Sequence, residues 1–98
     1  MKIAIGCDEA AYNLKVELIK HLESKGVEVK EYGANVGEVV LYPDVAVAVA
    51  KAVAKGEFER AVLVCGTGIG MSISANKVPG VRAAVCHDPF SAQRARKS

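Results

Sequence analysis

Cys65 stands directly before Gly66-Thr67-Gly68-Ile69-Gly70, and the apolar run Ala61-Val62-Leu63-Val64 leads into it. Glycines at this density let backbone N–H groups approach a ligand closely, and a helix opening behind them adds partial positive charge, so the loop favours anions. A thiol there is a candidate base or nucleophile, because the thiolate is the reactive form and the same donors favour it. Its plainer reading is a small buried hydrophobe. Thr67 can donate its hydroxyl to an oxyanion or cap the local backbone. Met71 stands where GxGxxG needs its third glycine, and the Lys-Ser/Thr pair of a P-loop is missing, so neither nucleotide fingerprint fits.

Two further groups could join this chemistry. His87 beside Asp88 is an acid/base candidate, since imidazole titrates near neutrality. Asp8, next to Glu9, either assists proton movement or only caps the first helix. His21 falls between apolar positions of a helical pattern, near Lys20 and Glu23, and reads as surface. Cys7 and Cys86 lie inside strand patterns and are expected in the core.

These residues need a scaffold that gathers them, and the chain alternates strand and helix patterns regularly. Lys2 to Cys7 predicts a strand; Ala11, Leu14, Leu18 and Leu22 recur at helical spacing, and Gly26 stops the helix. Val27 to Tyr32 predicts a second strand, followed by a loop with Gly33, Asn35 and Gly37. Pro43-Asp44 opens an Ala/Val-rich helix ending near Gly56. Arg60 to Val64 is a third strand, Gly70 to Asn76 a short helix, Pro79-Gly80 a turn and Val81 to Cys86 a fourth strand. Asp88-Pro89 is a cap and first-turn pair, so Phe90 onward should be helical. The βα alternation predicts an open parallel sheet with helices on both faces, which binds ligands beyond the carboxyl ends of its strands. Those ends carry Asp8 with Glu9, Cys65 with its loop, and His87 with Asp88.

Composition bounds the reading. The chain has 98 residues, enough for one domain, and 51% of them are hydrophobic, with Ala and Val suited to close helix-on-sheet packing. No apolar run approaches the roughly 18 residues needed to span a bilayer, and the N-terminus lacks a signal-peptide pattern, so a cytoplasmic location is expected. Three widely spaced cysteines fit neither a disulfide framework nor a zinc site and are expected to be reduced thiols. A formal charge of +2 is too small to argue for nucleic-acid or membrane partners, and neither is expected. Arg82, Arg94, Arg96 and Lys97 make the C-terminal end basic, either to hold a small anion such as phosphate or as a solvated helix face.

The segments KIAIGCDEAAYNLK, LYPD and AVLVCGTGIGMSISANKVPGVRAAVCHDPFSA together resemble the ribose-5-phosphate isomerase B family, which includes galactose-6-phosphate isomerase subunits. The likeness runs over nearly the whole chain. It implies a Rossmann-like three-layer α/β/α sandwich, with four strands of the open parallel sheet in this chain and a fifth in full-length relatives. Residues 1–98 would form a single sugar-phosphate isomerase domain lacking the family's C-terminal strand and helix. The resemblance also implies a homodimer, or a dimer of dimers, with active sites between subunits and no metal or organic cofactor.

The activity implied is interconversion of ribose 5-phosphate and ribulose 5-phosphate through an enediolate. A relative with a different sugar or sugar-phosphate substrate, or a noncatalytic anion-binding fragment, are the alternatives. By resemblance Cys65 is the base, Thr67 and the backbone of Gly66, Gly68, Ile69 and Gly70 stabilise the enediolate, His87 opens the ring and Asp8 moves hydroxyl protons. Asn76 and Tyr42 would hold the sugar, and Arg96 would supply an anion contact. Galactose-6-phosphate isomerase subunits generally lack a cysteine at this position, which favours the ribose-type activity. Glu9 departs from the family pattern, which has a phosphate-binding histidine there; a carboxylate would repel phosphate.

Overall fold

The computed structural model describes residues 1–33 and 41–97; Asn35 and Gly37 of the expected loop lie outside them. β1 (Lys2–Cys7), β2 (Glu28–Gly33) and β3 (Arg60–Val64) form one parallel sheet in the order β2-β1-β3. A 3-10 turn at Glu9–Ala11 leads into α1 (Tyr12–Ser24); α2 (Tyr42–Ala54), α3 (Ile69–Asn76) and α4 (Pro89–Lys97) complete the described elements. The punctuation works as expected from sequence. Gly26 and Gly56 follow α1 and α2 at φ of 79° and 82°, and Pro43 lies in the first turn of α2.

Side-chain alternation divides β1 and β3 between two layers. Ala4 and Leu63 pack with Val49, Ala52 and Phe58 on the α2 side. Cys7, Val62 and Val64 pack with Ala11, Tyr12 and Leu18 on the α1 side. α3 joins the α2 layer through Met71, against Val45 and Ala46, and through Ala75, against Ala50. These are the open parallel sheet and flanking helices of an α/β domain.

Three expectations need correction. The fourth strand is absent: Val81 to Cys86 carries no ladder, although its residues alternate between half-buried and exposed as the sequence pattern required. The period was sound, but alternation does not supply a partner strand, and along one edge of the segment the Asn76 carboxamide takes the N–H and the C=O of Ala83, each at 2.8 Å. Cys86 is exposed, with Sγ 3.7 Å from the Ala84 carbonyl, because this face of the segment is uncovered among the described residues. The stripe of α1 also differs from expectation at one position. Leu14 is 54% exposed, whereas Lys15 is fully buried beside the half-buried Leu18 and Leu22. An aliphatic stem lets lysine take an apolar position while its ammonium finds a partner, and here Glu31 of β2 supplies one at 3.4 Å.

Candidate active site

The register of the sheet assembles the site edge. Cys7 pairs with Val64, so the next residues, Asp8 and Cys65, emerge side by side at the carboxyl ends of β1 and β3. Beyond β3 the chain turns through Gly68, whose φ of 78° lies in the left-handed region that only glycine enters cheaply. That turn aims the Gly68 N–H back at Cys65 Sγ, 3.1 Å away, and caps the start of α3. The Cys65 side chain is half-buried against the cluster of Val45, Ala46 and Met71. Cys65 thus packs partly as a small hydrophobe and also receives a donor from the loop.

Thr67 Oγ1 accepts the Ile69 N–H at 3.2 Å, a local cap that fixes the exposed hydroxyl at the mouth of the loop. The N–H groups of Gly70 and Met71, in the first turn of α3, have no carbonyl acceptor within the helix and point out of its N-terminus. Tyr42, at the start of α2, lays its ring directly against Gly70, where any Cβ would overlap the phenol. Tyr42 thus reaches the loop from the other side of the chain.

A groove of about 1100 Å³ lies between β3 with its loop and residues 80–87. Cys65, Gly66, Thr67, Gly68, Ile69 and His87 all line it. Val85 approaches Gly68, which brings the exposed His87 along the same wall. Asp88 turns away from this chemistry. Its Oδ1 accepts the Ser91 N–H at 2.7 Å as the cap of α4, and that hydrogen bond, with a second from the Ser91 side chain, holds its carboxyl below the usual value.

The other expected residues sit differently. Asp8 Oδ1 accepts the Ala11 N–H at 3.1 Å, so it caps the 3-10 turn from the strand end next to Cys65. Glu9 is exposed in that turn. The Asn76 amide, assigned to the sugar from sequence, is occupied by Ala83 and by the Ser72 carbonyl at 2.9 Å. Arg96 is exposed near the end of α4 and does not line the groove. Sequence reasoning missed Lys15, which lies under this edge against Cys7; its signal was a charge falling on the buried stripe of α1. Burial pushes the Cys7 thiol up, and the Lys15 charge opposes that shift.

Comparison with known proteins places this edge in context. The sequence profile described as Ribose/Galactose Isomerase matches residues 3–98. The chain is 54% identical to Ribose-5-P isomerase B of Listeria innocua, aligned over all of this chain and 66% of that protein. It is also 54% identical to D-erythrulose-4-phosphate isomerase of Pectobacterium atrosepticum, over all of this chain and 65% of that one. Among solved structures, Clostridium thermocellum Ribose-5-Phosphate Isomerase B superposes with a TM-score of 0.94 at 50% identity, covering 98% of this chain and 65% of that one. The chain therefore spans just under two thirds of the length of these relatives.

Proposed function

The chain belongs to the ribose/galactose isomerase family, and we propose that it interconverts an aldose phosphate with the corresponding ketose phosphate, with ribose 5-phosphate and ribulose 5-phosphate as the preferred pair. The observation that carries this reading is the Gly68 N–H directed at Cys65 Sγ from a loop that opens a helix. Cys65 removes the proton beside the substrate carbonyl. The resulting enediolate is an oxyanion, and it is met by Thr67 Oγ1 and the first-turn N–H groups of α3, donors already fixed before charge develops. The proton then returns to the neighbouring carbon. His87 opens the sugar ring, and Asp8, beside Cys65, moves the hydroxyl protons.

Cys65→Ala is expected to lower turnover of ribose 5-phosphate by about 10²- to 10⁴-fold, the usual contribution of a positioned base, while the thermal melt stays close to wild type. Full turnover in the folded alanine variant would remove Cys65 from the mechanism. A second substrate, D-erythrulose 4-phosphate, belongs in the same assay, because the relative named for it is as similar to this chain as the one named for ribose 5-phosphate. The larger kcat/KM identifies the substrate, and no turnover on either would sink the isomerase reading. The exposed apolar side chains Ile69, Ile73 and Phe90 support a homodimer, which sedimentation of the same preparation checks.

A further inference from the structure

Lys15 is the only charged side chain buried in the core among the described residues, and the chemistry above does not use it. Burying an ammonium is costly unless it is paired, and an apolar residue of similar shape is often as stable or more so. Stability alone therefore gives a weak reason for a lysine here. Its surroundings give a better one. The ammonium lies 3.4 Å from Glu31 Oε1 on β2 and 5.2 Å from the centroid of the Tyr12 ring on α1. Its side chain also hydrogen-bonds to the Cys7 sulfur at the end of β1, with Asp8 close enough to share that field. One side chain thus ties the carboxyl ends of two strands to the first turn of α1, around the residue that carries Asp8.

We propose that Lys15 is a positioning residue for Asp8: it fixes the end of β1 so that the Asp8 carboxylate is held beside Cys65 while capping the Ala11 N–H. The inference rests on the isomerase reading for its kinetic consequence and on the fold alone for its structural one. Lys15→Met preserves length and leaves Glu31 half in solvent, so no buried charge is stranded.

The variant is tested in the wild-type and Asp8→Asn backgrounds. Lys15→Met should lower kcat on the order of tenfold with KM changed less than about twofold, since a displaced proton-transfer group affects the transition state and not ground-state binding. In the Asp8→Asn background it should lower kcat less than about twofold. Equal losses in both backgrounds, or no loss in either, overturn the proposal.

Hydrogen exchange supplies a readout that does not depend on turnover. The Ala11 amide should exchange about tenfold faster in Lys15→Met while amides of α2 keep their protection, the pattern of a local opening. Unchanged Ala11 protection overturns the proposal whatever the substrate. Inactive wild-type protein would defeat the isomerase reading and leave this second arm to decide. Should Lys15→Met not fold, Glu31→Gln removes the exposed partner instead, and the same two measurements apply with about a threefold effect expected in each.

Discussion

The two walls of the groove are built on different principles. β3 and the loop behind it are held by backbone: a parallel ladder to β1, a left-handed glycine and an N–H returned to Cys65. The opposite wall, Val81 to His87, has no ladder among the described residues and is held by side chains, chiefly the Asn76 carboxamide on Ala83 and the Ser72 hydroxyl at 3.4 Å from the same carbonyl. The first wall carries the group assigned to carbon–hydrogen chemistry, where placement matters most. The second carries His87, assigned to ring opening. Backbone-built geometry resists side-chain substitution but fails sharply when φ is forced; side-chain fastening fails locally and gradually.

The sharpest break should come at Gly68. Alanine at its φ of 78° costs about 1–2 kcal/mol for the left-handed conformation, and relief of that strain would swing the N–H away from Cys65 Sγ. Gly68→Ala is therefore expected to lower kcat/KM at least about tenfold with a modest loss of stability. Steady-state kinetics beside a thermal melt check this. A variant with normal turnover would show that the loop does not need this turn.

On the other wall, Asn76→Ala should sharpen the contrast. It removes the two 2.8 Å bonds that fasten Ala83 to α3, together with the 2.9 Å bond to the Ser72 carbonyl within the helix, at an expected total near 1–2 kcal/mol once water replaces them. The loss should be local. Hydrogen exchange should quicken at Ala83, while β1 and β3 keep wild-type protection. Equal loosening of both walls would mean that they form one cooperative unit and that the distinction is false.

This division also decided what could be read from sequence. Lys2–Cys7 and Arg60–Val64 were legible to the residue because apolar runs between turn signals define central strands, and the glycine loop was legible because its residues need a turn that few others can make. Val81 to Cys86 showed the right alternation, yet alternation does not say whether a neighbouring strand lies within pairing distance, and one edge of the segment is held by the Asn76 side chain instead. Lys15 was missed because a helical stripe was traced through Leu14, and periodicity alone cannot say which of two adjacent positions faces the sheet. The strand pattern placed Cys65, Thr67 and Asp8 at one edge and their residue types suggested base and oxyanion chemistry; their specific roles in an isomerisation came from resemblance.

The smallest effect concerns how α4 leaves the second wall, and it depends on pH. Asp88 Oδ1 accepts the Ser91 N–H at 2.7 Å, and the carboxyl is held below its ordinary value of 3.8 chiefly by that bond, with the Ser91 side chain next. A carboxyl depressed in the folded state contributes stability that is fully present above its unfolded value and is lost as pH falls through the folded one. Helix α4 should thus keep its first turn at neutral pH and begin to fray only below about 3.8. Since α4 buries no residue among those described, its fraying need not unfold the sheet. The Ser91 amide resonance, followed through an acid titration, should move in that window while amides of β1 stay still until global acid unfolding. In Asp88→Asn, whose side chain still accepts the N–H but does not titrate, the same resonance should be flat across the window. A Ser91 amide that moves only together with β1 would tie α4 to the sheet and erase the difference between the two walls at its far end.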